Sequence, residues 1–215
     1  MSDELRPCPL CGQPLYPWVG LPARGTEAAS VGEPLPDAEA ERIIVRCESC
    51  GVALERDREV DLTAEWEAVC RPGEHGARQI MLPDRKSWQA AIGVGGWAAI
   101  DLYPGHLIHT RGSLDLLAQH NDYALDSLSW PWRGPNQPWM WQTLLNGLTF
   151  HPNFAREVRA GRLRPANARS RVKFAVDSVV TLLGAPLVAL ASFPLEAIAA
   201  LFRRGGLLAA TARRR

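Results

Sequence analysis

The chain has 215 residues, 47% of them hydrophobic and 22% charged, a composition that excludes an intrinsically disordered protein. Its formal charge is only +1, which excludes steering toward nucleic acid by net charge. That sum hides a split: residues 1–129 carry 20 acidic and 11 basic side chains, and residues 130–215 carry 3 acidic and 13 basic ones. An acidic front joined to a basic, hydrophobic rear implies two environments, the rear one an anionic membrane surface.

The first twelve residues, MSDELRPCPLCG, contain no apolar run of the kind that directs secretion, so a cytoplasmic chain with reduced thiols is expected. Four of the five cysteines form two close pairs, a metal-site pattern rather than a disulfide framework. They stand in CPLCG at Cys8 and Cys11 and in CESCG at Cys47 and Cys50. Two residues between cysteines let one tight turn aim both sulfurs at one ion. The following glycine can take φ > 0 and present backbone N–H groups to the thiolates. Two such turns make a closed, structural four-thiolate site, with zinc the expected ion and iron the alternative those sulfurs accept. Cys70 is left over and reads as a small, half-buried apolar residue.

Residues 20–41 between the pairs are rich in Pro, Gly, Ala and Glu and read as an extruded loop. Residues 43–46 (IIVR) lead into the second pair as a strand and residues 52–54 leave it as another. Residues 62–71 read as a short helix capped by Asp61 or Thr63, residues 72–76 as a turn, 79–82 as an apolar strand and 87–92 as a helical turn or two. The GVGGW run at 93–97 is not a phosphate loop. Its glycines follow a helix instead of preceding one, and Trp97 fills the place where close backbone approach is needed. His106 and His109 would share a metal only on a helix, and Pro104-Gly105 argues against one there.

Trp130, Trp132, Trp139 and Trp141 fall within twelve residues, and Trp favours surfaces that are apolar on one side and wet on the other. All four are therefore candidates for a membrane interface. Residues 142–150 read as a short amphipathic helix and residues 156–173 as a basic run with Glu157 as its only acid. Residues 178–195 (SVVTLLGAPLVALASFPL) carry no charge. Eighteen residues is the lower edge of a membrane span, and Pro186 and Pro194 would break a straight one. A bent helical hairpin over 172–204, lying in one leaflet, is expected, with a buried core helix pair packed on the sheet as the alternative. Residues 205–213 read as a final strand with a basic tail.

The order of motifs IMLPDRKS at 80–87, WAAIDLYPGHL at 97–107 and SLDLLAQHNDYALDSL at 113–128 resembles the C-terminal half of class I S-adenosylmethionine-dependent methyltransferases. Zinc-binding members of that family also begin with C-x-x-C-G pairs. The resemblance covers roughly residues 1–70 and 78–130, with a weaker match at the C-terminus. It implies that the last strand lies between the strands at 79–82 and 123–129. It also implies that Asp101, Pro104 and His106 are the remnant of a substrate pocket. Asp84 stands where the family has Asn, and Asn121-Asp122 replace a Gly. The glycine-rich donor loop is absent. The 29 residues between Cys50 and Ile80 cannot hold the missing half, because a single βαβ unit needs about 30.

The expected fold is α+β: an N-terminal four-cysteine zinc ribbon at 1–71, then a truncated methyltransferase-like domain at 72–215 with about three strands and a helical, hydrophobic C-terminal region. The leading functional expectation is a zinc-stabilised, non-catalytic scaffold or substrate-binding protein, peripheral on the inner face of a membrane, that does not bind S-adenosylmethionine. The alternative is a methyltransferase that gains its donor half from a protein partner along the open strand edge at 79–82. A nucleic-acid-binding ribbon is a third reading, opposed by the acidic charge of the zinc half.

Overall fold

The computed structural model describes residues 6–21, 42–102, 106–132, 137–165 and 167–215. The chain is α+β, with a three-stranded antiparallel sheet, a four-stranded antiparallel sheet and a long C-terminal helix.

The first sheet contains β1 (Leu15–Leu21), β2 (Arg42–Cys47) and β3 (Ala53–Glu55), in that order. Strand β1 lies where no strand is expected from the sequence, because it contains Pro17 and runs into the proline-rich stretch. The missing N–H of Pro17 is accommodated at an irregularity between Pro17 and Val19, where the register with β2 shifts. Residues 22–41, most of the expected loop, lie outside the described residues. The sheet alternates with period two: Ile44 faces one core cluster with Val19, Trp97, Ile100 and Ile108, while Val45 faces another with Leu15, Val52 and Leu54.

Helix α1 (Leu62–Val69) starts where Asp61 accepts hydrogen bonds from the N–H groups of Thr63 and Ala64, at 2.9 and 3.1 Å. It stops one residue before Cys70, which begins β4 (Cys70–Pro72). The second sheet has the order β4, β5 (Arg78–Pro83), β7 (Leu207–Arg214), β6 (Tyr123–Ser129), every neighbour antiparallel. The final strand thus lies between those at 78–83 and 123–129, as expected, and β4 adds a fourth strand. Ile80, Leu82, Leu208, Ala210 and Ala212 form one face, covered by Trp66 of α1 and by Leu114 and Leu117 of α4 (Arg111–His120). The opposite face carries Gln79, Met81, Ser127, Ala209 and Thr211. It floors an open cavity of about 560 Å³ that also reaches Arg71, His106 and Trp139.

Helix α2 (Trp88–Gly93) is capped by Ser87, whose hydroxyl accepts from Ala90 N–H at 3.1 Å. Short α3 (Ala98–Leu102) follows the glycine run. Helix α5 (Gln137–Asn146) starts earlier than the expected 142–150, so Trp139 and Trp141 lie on it. Helix α6 (Phe154–Arg159) precedes α7 (Ala168–Leu201), a single helix of 34 residues. The expected hairpin is not formed. Pro186 and Pro194 both stand on the exposed side of α7, and the helix continues through them.

Candidate metal centre

The two cysteine turns are built alike. In the first, Gly12 N–H donates to Cys8 O at 2.8 Å and Cys8 N–H to Gln13 O at 2.8 Å. In the second, Gly51 N–H donates to Cys47 O at 3.0 Å and Cys47 N–H to Val52 O at 2.8 Å. Gly12 and Gly51 have φ of +72° and +82°, the left-handed backbone expected of them. The turns meet because Leu15 at the start of β1 pairs with Cys47 at the end of β2.

All four sulfurs lie within 4.8 Å of one another. Cys8 Sγ is 3.6 Å from Cys50 Sγ and Cys11 Sγ is 3.5 Å from Cys47 Sγ. A tetrahedral ion with metal–sulfur bonds of ~2.3 Å sets such edges at about 3.8 Å, so the cluster is at metal-binding distance and compatible with zinc. Cys50 holds the Cys8 thiol down at about 5, helped by the N–H groups of Leu10 and Cys11, while burial opposes. Cys50 is pushed up in return, chiefly by Cys8 and then by burial. Cys70 lies apart from the cluster and its thiol is pushed up to about 12 by burial, which makes it inert.

The second turn is keyed into the rest of the chain. Thr110 Oγ1 donates to Cys50 O at 2.9 Å, and Thr110 also caps α4 in a reciprocal box with Ser113. A Cβ on Gly51 would stand 2.7 Å from Thr110 Cγ2.

The other candidate residues are dispersed. His106 Nδ1 lies 3.5 Å from Glu65 Oε1 and lines the cavity over the second sheet. Asp101 belongs to α3, and Pro104 lies outside the described residues. His109 is fully buried, with Nδ1 3.3 Å from Ser113 Oγ. Its imidazole is pushed down to about 3 by burial, then by the charges of Arg58 and His106. Trp130 Nε1 donates to Asp84 Oδ2 at 2.9 Å. Trp139 packs beside the cluster of Trp97 and Ile100, and Trp141 is half-buried. Trp132 meets Phe193 of α7 edge-on, with ring centroids 5.2 Å apart. Buried Asp84 accepts from Lys86 N–H as well, and its carboxyl is raised by burial.

Helix α7 is inside-out in polarity. Its buried residues are Asp177, Ser192, Glu196 and Ala199. Leu182, Leu183, Leu187, Leu190 and Leu201 are between 66% and 82% exposed. Asp177 accepts from the N–H groups of Phe150 and His151 at 2.8 and 3.0 Å, and from His151 Nδ1 at 2.6 Å. Glu196 accepts from Gln89 Nε2 and Gly206 N–H, each at 2.7 Å. In the sequence these two acids simply bound the charge-free run at 178–195, which is all that sequence reasoning takes from that stretch. The signal it missed is that polar residues recur on one helical face and leucines on the other. No protein-family model, curated protein or solved structure matches this chain.

Proposed function

We propose that this protein is a non-catalytic, methyltransferase-like scaffold, stapled by one structural zinc ion and held peripherally on an anionic membrane at the inner face through α7. The observation that carries the reading is the inverted polarity of α7. A helix against water turns its polar face outward, and this one buries carboxylates and exposes leucines. The most apolar eighteen-residue stretch is 6% buried, and the helix is long and apolar enough by composition to enter a membrane. Basic side chains stand on α6 and at the start of α7: Arg156, Arg159, Arg169 and Arg171 are exposed and make no ion pair among the described residues. Such a patch suits the phosphates of an anionic leaflet.

The methyltransferase-like part of the reading is supported by the position of β7 between β5 and β6, which is the strand order that the resemblance implies. Between Cys50 and Ile80 stand β3, α1, β4, a 3-10 turn at Glu74–Gly76 and the first residues of β5, with no glycine-rich donor loop. The cavity beside His106 is where a substrate or partner side chain would be held. A split methyltransferase is the second reading. Its docking edge on β5 is reduced, because β4 pairs with residues 78–80 and leaves only 81–83.

Two measurements on the zinc-loaded protein test the proposal. Calorimetric titration with S-adenosylmethionine is expected to give no heat of binding. Flotation with vesicles containing anionic lipid is expected to carry the protein upward. Micromolar cofactor binding would put the enzyme reading first, and failure to float would remove the membrane from it.

A further inference from the structure

We infer that α7 lies flat in a single leaflet, parallel to the membrane plane, and does not cross the bilayer. This rests on the membrane reading above and fixes its geometry. Length alone does not decide the matter. The charge-free stretch of eighteen residues measures about 27 Å as a helix, close to the ~30 Å of a hydrocarbon core.

What decides is how the helix is tied. Asp177 and Glu196 are nineteen residues apart, about 28 Å along the axis, and both point into the same folded body. Asp177 holds the backbone of residues 150 and 151 just before α6. Glu196 holds Gln89 of α2 and Gly206 at the entry to β7, the strand zipped between β5 and β6. Between the two ties, a Cβ built on Gly184 would stand 4.0 Å from Leu145 Cδ2 of α5. A spanning helix needs its ends on opposite sides of the bilayer. Here both ends belong to one side, and crossing would require breaking the buried Glu196 tie, pulling the middle of α7 off α5 and drawing β7 out of its sheet. A helix of high apolar exposure tied along its length is left with one geometry, in-plane insertion to about 5–10 Å.

The occupant is lipid and not a second copy of the chain. Exposed Arg169 and Arg171 stand at one end of α7 and exposed Arg203 and Arg204 at the other. Two such helices packed face to face, parallel or antiparallel, bring like charges together at both ends. An anionic headgroup layer meets both ends with the opposite sign.

The test uses Val176→Cys, Leu183→Cys and Leu190→Cys, three outward positions seven residues apart on one face. Each carries a maleimide-linked fluorophore on the zinc-loaded protein, whose own thiols are metal-bound or, at Cys70, buried. Vesicles of phosphatidylcholine with one third phosphatidylglycerol contain lipids brominated at a shallow or a deep acyl carbon. In-plane insertion predicts the same shallow quenching at all three sites. A depth gradient, with one site shallow and another at the bilayer centre, would overturn the in-plane geometry while leaving membrane binding intact. No binding to the vesicles, with a dimer in solution, would overturn both and give the face to a second copy.

Discussion

Gln89 Nε2 donates to Glu196 Oε2 at 2.7 Å across 107 residues of sequence, with both side chains fully buried. The other oxygen of Glu196 accepts from Gly206 N–H at 2.7 Å. One carboxylate therefore joins α2, α7 and the start of β7, so the helix with the most exposed apolar surface is also one of the most firmly tied. A buried carboxylate that loses one donor keeps its desolvation penalty. Gln89→Leu should lower the unfolding free energy by about 2–4 kcal/mol, read from urea denaturation of the zinc-loaded protein. An effect below about 0.5 kcal/mol would mean that water replaces the amide and that the tie is weak.

Gly12 and Gly51 occupy the same place in two copies of one motif, yet their surroundings differ. Both have positive φ, but a Cβ at Gly12 meets open space while one at Gly51 meets the Thr110 side chain. Gly12→Ala should cost only the left-handed backbone, ~1–2 kcal/mol. Gly51→Ala should cost more by about 1–3 kcal/mol, since Thr110 must leave the hydrogen bond that caps α4 and holds Cys50 O. Thermal unfolding of the two variants side by side checks the difference. Equal losses would show that the second cysteine turn is not keyed to α4.

Metal binding is expected to be one equivalent per chain. Chelation should loosen the first sheet, because Cys8 and Cys47 belong to the same core cluster as Val45 and Leu54. Elemental analysis and a melting curve with and without chelator give the readout. A fall of 10 °C or more, from a loss of several kcal/mol, is the predicted result for a structural site.

His109 makes stability acid-sensitive in a defined window. Its imidazole titrates at about 3 in the folded chain, against about 6.5 when unfolded. Below pH 6.5 the unfolded chain gains a proton that the folded chain refuses. Stability is therefore full above that pH and falls as pH drops through 3, by about 5 kcal/mol in total. His109→Gln should flatten this part of the profile, while protonation of the metal thiolates destabilises both proteins in acid. An unchanged pH profile would contradict the buried neutral imidazole.

Local chemistry made much of the chain legible. The C-x-x-C-G pairs, the Asp61 and Ser87 caps and the alternation around Ile80 and Leu208 are written within a few residues of where they act. Features set by tertiary packing were not. Cys70 leaves the helical pattern because β5 offers it a ladder partner in Ile80. The indole of Trp130 donates to Asp84, a partner 46 residues away that no local pattern shows. Pro17 hides a strand, since its missing N–H is tolerated only at an irregularity that depends on β2. Pro186 and Pro194 read as breaks, but α7 is held along its inner side by Asp177, Leu145 and Glu196 and its prolines point outward. The inverted polarity of α7 could be read only once the inward side was known. The same residues without that frame are an apolar run with an acid at each end.

The most direct measurement is co-sedimentation of the zinc-loaded protein with phosphatidylcholine vesicles, with and without one third phosphatidylglycerol. A parallel series uses Leu187→Gln combined with Leu190→Gln. Both leucines are more than 70% exposed, so the folded body should be unchanged. Each buried leucine is worth ~1.5–3 kcal/mol, so the double variant should bind anionic vesicles at least tenfold more weakly than the parent. Salt should weaken the parent's binding as well. Equal binding of parent and variant, or none to either vesicle, would contradict the assignment of α7 to a membrane surface.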